Sequence, residues 1–104
     1  MSRYDQYISY WKNRLECAQF LGTQYGVQRV FLIGSLAREG FAHARSDIDL
    51  VVEGLASNQY FSALSAVWKK LPPGVELDLI PLEDAYESLK ERVFQEGKLL
   101  YERK

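Results

Sequence analysis

Asp47-Ile48-Asp49-Leu50-Val51-Val52, entered from a loop at Ser46 and closed by Glu53-Gly54, reads as a β-strand carrying two carboxylates. Aspartate is depleted from strand interiors, because its short charged side chain neither packs on a pleated surface nor tolerates burial without a partner. Three of the five aspartates, Asp47, Asp49 and Asp78, nevertheless fall inside predicted strands. Strand residues two apart share a face and lie about 6.6 Å apart, so Asp47 and Asp49 converge on one side while Ile48 faces the other. Asp78 sits between Leu77 and Leu79 in the run Val75–Ile80 and likewise faces away from its apolar neighbours. If the two strands are adjacent, about 4.8 Å apart, all three carboxylates meet.

Carboxylates so placed repel one another, and bind either protons or cations. An oxygen-only ligand set selects Mg²⁺ or Mn²⁺ over zinc, and magnesium keeps waters and shares substrate phosphates. Taken singly, each aspartate is equally explained as an edge-strand residue facing solvent, or, for Asp47, as the cap of a turn after Ser46. The trio together favours a metal site.

Outward from this strand the pattern alternates. Tyr4, Ile8, Trp11, Leu15, Ala18 and Leu21 recur at the three-and-four spacing of one helical face, and Gly22 and Gly26 follow as breaks. Val27–Ile33 is β-branched and aromatic, too short for an average helix, and reads as a buried strand. Ser57-Asn58 offers an N-cap for a helix whose inward face is Tyr60, Phe61, Leu64, Val67, Trp68 and Leu71, ended by Pro72-Pro73-Gly74. Val75–Ile80 is a third strand stopped by Pro81. Ala85, Leu89 and Val93 mark a last helix with Gly97 as its C-terminal cap, before an apolar tail, Leu99-Leu100-Tyr101, that suits a fourth strand. The expected fold is a two-layer α/β (α+β) domain, a small mixed sheet of three to four strands packed against helices.

Composition excludes several functions. With 13 basic against 14 acidic residues in 104, no broad positive field exists to attract nucleic acid or an anionic membrane. Cys17 has no second cysteine to pair with, and with His43 alone it cannot build a zinc site. There is neither a signal-peptide pattern at the N-terminus nor an apolar run of membrane-spanning length, so a soluble, cytoplasmic protein is expected. Cys17 reads as a small core residue, His43 as a solvated loop residue, and Tyr4, Tyr7, Tyr10 and Trp11 exceed what one helix face needs.

Directly after the first strand comes Gly34-Ser35-Leu36-Ala37-Arg38-Glu39-Gly40. A strand running into Gly-Ser lets backbone N–H groups and a hydroxyl approach a phosphate. The spacing is neither a Walker A loop nor a dinucleotide fingerprint, and alone it is an ordinary tight turn. Gly34-Ser35, then eleven residues, then Asp47-x-Asp49, then Asp78 in a later strand resembles the nucleotidyltransferase superfamily typified by DNA polymerase beta. The run Ser46–Leu50 and the tail Glu96–Glu102 are similar to those of its minimal nucleotidyltransferases, the antitoxins of HEPN/MNT toxin–antitoxin pairs. The resemblance spans Val27 to Tyr101, and implies one minimal nucleotidyltransferase domain over residues 1–104.

The resemblance implies that Asp47 and Asp49 hold two Mg²⁺ ions against a triphosphate, and that Asp78 helps bind the second ion and orients or deprotonates the attacking hydroxyl. It places Gly34 and Ser35 on the β- and γ-phosphates, and Arg38 and Ser46 among the nucleotide-binding residues. Arg38-Glu39-Gly40 departs from the Arg-Gly-acidic order of many minimal members, so no role is assigned to His43 or Arg45. Two-metal chemistry needs no protein nucleophile, in keeping with a chain that offers no convincing Cys–His or Ser–His pair. The implied function is transfer of AMP from ATP to a tyrosine of a helical HEPN toxin, with which the chain forms a hetero-oligomer. Two alternatives remain: an antitoxin that neutralises by contact alone, and nucleotidyl transfer to a small molecule or RNA.

Overall fold

The computed structural model describes residues 3–33, 48–71 and 75–103. The chain runs through helix α1 (Arg3–Tyr25), strands β1 (Arg29–Ile33) and β2 (Ile48–Glu53), helix α2 (Tyr60–Trp68), strand β3 (Leu77–Pro81), helix α3 (Glu87–Glu96) and strand β4 (Lys98–Glu102). Short 3-10 turns at Ser57–Gln59 and Leu82–Asp84 lead into α2 and follow β3. The strands form one mixed sheet in the order β3-β2-β1-β4: β1 is antiparallel to both β2 and β4, and β2 is parallel to β3. The apolar tail is therefore a true edge strand, and the two strands bearing Asp49 and Asp78 are neighbours.

Period-two alternation divides the sheet cleanly. Val30, Leu32, Ile48, Leu50, Val52, Leu77 and Leu79 face α1 and α2 and meet Cys17, Ala18, Leu21, Ala63 and Val67 in the main core. Phe31, Ile33 and Val51 point the other way, against Leu82 and Val93, so α3 covers part of the opposite face.

Burial on the helices differs from what spacing alone suggests. Along α1 the inward stripe is Arg14, Cys17, Ala18 and Leu21, while Leu15 is 46% exposed. The stripe is centred between Arg14 and Leu21, so Leu15 falls roughly a quarter turn outside it. On α2 only Ala63 and Val67 are buried, and Phe61 and Trp68 are exposed. The small Ala63 lets α2 approach the sheet, turning those two aromatics outward. No side chain caps α2: the 3-10 turn occupies the place expected for a Ser57 or Asn58 cap. Gly97 does cap α3, but in extended backbone (φ −70°, ψ 151°), its N–H bonding to Val93 O at 2.9 Å. A Cβ there would lie 2.5 Å from that same carbonyl oxygen, which accounts for the glycine.

At Gly22 a Cβ would stand 2.1 Å from the Tyr101 ring, so α1 rests directly on the β4 aromatic. Alanine gains about 1 kcal/mol of helix propensity over glycine, whereas overpacking costs about 1–3 kcal/mol. Gly22→Ala is expected to destabilise the protein by up to about 2 kcal/mol, but to stabilise a Tyr101→Ala background by about 1 kcal/mol. Urea unfolding of the four variants reads this change of sign.

Candidate active site

Asp49 and Asp78 are register partners in the parallel β2–β3 pair. Parallel neighbours lie about 4.8 Å apart, and both residues stand on the face opposite Leu50 and Leu79, so their carboxylates share one small area. Asp49 is half-buried and Asp78 exposed. The same row continues to Ile33 at the end of β1, which pairs with Asp49 and is 6% exposed. Beside Ile33 lies Gly97, whose notional Cβ would sit 3.5 Å from Ile33 Cγ2. The carboxylates thus occupy the open side of a face that α3 closes on the other side.

Position follows from where strands begin and end. Ile33 is the last residue of β1 and Ile48 the first of β2, so the row lies where the chain leaves the sheet after β1 and returns to it at β2. Ile48 N–H donates to Glu76 O at 2.8 Å, tying the starts of β2 and β3 together. Glu76, inside the expected strand Val75–Ile80 but not singled out there, is itself an exposed carboxylate at this end. Gly34, Ser35, Arg38, Ser46 and Asp47, like His43 and Arg45, lie outside the described residues. Of the expected trio, two members are therefore seen together.

The donor set suits a hard cation. Two carboxylates on adjacent strands offer oxygen ligands, and among the described residues neither thiolate nor imidazole stands beside them, which fits Mg²⁺ or Mn²⁺. Among the described residues no three acidic, histidine or cysteine side chains group to hold a metal, so a third ligand has to come from elsewhere, as Asp47 would.

Cys17 belongs to the core, 1% exposed; burial pushes its thiol pKa up, against the opposing pull of Arg14 and Lys70. A thiol so placed is not a nucleophile at neutral pH. Arg14, 3% exposed on the inward stripe of α1, was not foreseen as a buried cation.

A mixed four-stranded sheet with two carboxylates in one row, beside the end of a strand that precedes Gly-Ser, agrees with the nucleotidyltransferase resemblance read from the sequence. The chain belongs to the Polymerase beta, Nucleotidyltransferase family, whose model matches residues 16–104. Solved structures share the fold. A chain from the crystal structure of a toxin–antitoxin with AMP-PNP is 24% identical at a TM-score of 0.70, the match covering 86% of this chain and 74% of that one. A structure described as a minimal nucleotidyltransferase is 29% identical at a TM-score of 0.67, covering 86% and 91%. A chain from the complex of tri-AMPylated Shewanella oneidensis HEPN toxin with MNT antitoxin is 22% identical at a TM-score of 0.65, covering 88% and 71%. No curated protein matches the chain in sequence.

Like charges directly opposed on neighbouring strands destabilise a sheet by about 0.2–1 kcal/mol. Asp78→Asn is expected to stabilise the protein by that amount at pH 7 without divalent ions, and the gain should shrink as added salt screens the two charges. Urea denaturation of both proteins at low and high salt measures it. Iodoacetamide at pH 8 is expected to label Cys17 only as fast as the protein unfolds, which mass spectrometry against urea concentration follows.

Proposed function

We propose that the protein is a Mg²⁺-dependent nucleotidyltransferase that moves AMP from ATP to a hydroxyl, a tyrosine's, on a HEPN-type helical toxin, and so acts as its antitoxin. The observation that carries this reading is the pairing of Asp49 with Asp78 across β2–β3, in a chain of the nucleotidyltransferase family. Support for the partner comes from similar folds found in toxin–antitoxin complexes, one with AMP-PNP and one with an AMPylated HEPN toxin.

In this reading Asp47, Asp49 and Asp78 hold the cations, two Mg²⁺ ions or Mn²⁺ in their place. When bound, the metal supplies Lewis-acid polarisation of the phosphates and neutralises charge on the departing pyrophosphate. The protein's own work is positioning. Gly34 N–H and the Ser35 hydroxyl hold the β- and γ-phosphates, Ser46 hydrogen-bonds the nucleotide, and Arg38 balances pyrophosphate charge. Asp78, on the edge strand β3, is open to an incoming acceptor: its carboxylate orients the hydroxyl and takes its proton. The hydroxyl oxygen attacks the α-phosphorus, the bond from that phosphorus to the bridging oxygen breaks, and pyrophosphate leaves opposite the new bond.

Labelled ATP with Mg²⁺ and the product of the adjacent gene is expected to label that partner on tyrosine. Asp78→Asn should slow labelling by about 10²–10⁴-fold, the range typical of lost acid–base assistance. An Asp47→Ala/Asp49→Ala double variant should abolish it, and chelation of divalent ions should do the same until Mg²⁺ or Mn²⁺ is restored. A double variant that still neutralises the partner overturns the catalytic reading in favour of contact alone; a neighbour unrelated to HEPN proteins favours a small-molecule acceptor.

A further inference from the structure

The parallel pair β2–β3 has a second end. While Asp49 and Asp78 lie near the amino ends of the two strands, β2 and β3 leave the sheet at Glu53 and Pro81, where Val52 pairs with Pro81. Crevices beyond the carboxyl ends of parallel strands, beside the start of the connecting helix, are the usual places for ligands in α/β sheets. A cavity of about 610 Å³ opens there.

Its walls are Leu55, Tyr60, Phe61 and Pro81, and its polar lining includes Glu83 and Asp84; among the described residues no lysine, arginine or histidine lines it. Tyr60 is fixed: its hydroxyl donates to Leu79 O at 2.6 Å, and its ring meets Phe61 edge-on, centroids 5.2 Å apart. Phe61, by contrast, is 79% exposed and contributes nothing to the core that Ala63 and Val67 provide for α2. Glu83 is held by its Oε2, which accepts the Gly54 N–H at 2.8 Å. A fixed carboxylate, with Asp84 next to it in the lining and an exposed aromatic face beside it, is complementary to one chemistry, an organic cation with an apolar stem. A guanidinium stacks on the ring and bonds the carboxylates, and its methylenes cover the Leu55 and Pro81 wall. Phosphate-bearing ligands meet like charge, and a neutral apolar ligand would strip water from Glu83 and Asp84 without replacing it.

We infer that this cavity docks an arginine side chain of a partner polypeptide. The carboxylate row and the Val52–Pro81 row are three residues apart, roughly 10 Å along the strands. A partner anchored here lies along the exposed β3 edge, within reach of Asp78. The inference goes beyond the transfer reading and stands without it, since docking is measured with neither nucleotide nor metal present.

The test is an NMR titration of the full chain with acetyl-Leu-Arg-Leu-amide, and with its glutamine and glutamate counterparts. The arginine peptide is expected to shift the amides of Leu55, Phe61 and Asp84, and the glutamate peptide to leave them in place. E83Q/D84N, in which the side-chain amide oxygen introduced by E83Q can still accept the Gly54 N–H, should weaken binding by about tenfold. Phe61→Ser, at a surface position that the fold does not need, should weaken it by about two- to fivefold. Added salt should weaken the wild type more than E83Q/D84N. Equal shifts from the glutamine peptide, shifts confined to other surfaces, or unchanged affinity in E83Q/D84N overturn the inference.

Discussion

The register of β2 is the constraint on which the remaining structure depends. Ile48, Leu50 and Val52 are fully buried on one face, and Asp49 stands between them on the other. A slip of one residue would turn all three aliphatics to the opposite face, only part of which α3 covers, and drive Asp49 into the core. Exposing two such side chains forfeits roughly 3–6 kcal/mol, before the burial of a charge is counted. Because β2 is central, with β1 on one side and β3 on the other, its register also sets theirs. The pairing of Asp49 with Asp78 is thus a by-product of core packing: the carboxylate face inherits its order from the apolar face behind it.

That dependence explains what could be read from the chain. Strand alternation was legible because β2 and β3 carry aliphatics at every second position, and a carboxylate in the gap can only face away. The adjacency of β2 and β3 was legible only as a condition, since strand order is a property of the assembled sheet. Helix faces were less legible. Leu15, Phe61 and Trp68 fit a three-and-four spacing yet lie outside the buried stripes, whereas Arg14 and Ala63 lie inside them, beside Cys17, which was expected in the core. Small residues decide how closely a helix approaches a sheet, and polar ones are buried when their neighbours leave no alternative; neither shows as hydrophobic periodicity. Glu76 escaped notice for a related reason, since the bond that sets it at the start of β3 is made by its backbone carbonyl.

The two ends of the β2–β3 pair differ in how they are built. The carboxylate row draws on residues distant in sequence: Ile33 from β1, Asp49 from β2, Asp78 from β3, and Gly97 from the α3–β4 junction. The cavity at the other end is made from one stretch of chain between Leu55 and Asp84. Contacts of high sequence separation form only with the complete sheet, while the β2–α2–β3 unit is local.

A row assembled from four separate segments has no independent stability. Loss of β4 would remove Gly97 from Ile33, and with it the support on the β1 side of Asp49; loss of β3 would remove Asp78 outright. The carboxylates can therefore be brought together only by the sheet as a whole, and their geometry is as stiff as the sheet core. Stiffness of that kind is what charge-on-charge chemistry requires, because two carboxylates held together before a cation arrives have already met their mutual repulsion during folding. The energy of the apolar face holds them in place, and in the proposed metal-binding role a cation entering between them would gain the attraction of both without having to gather them.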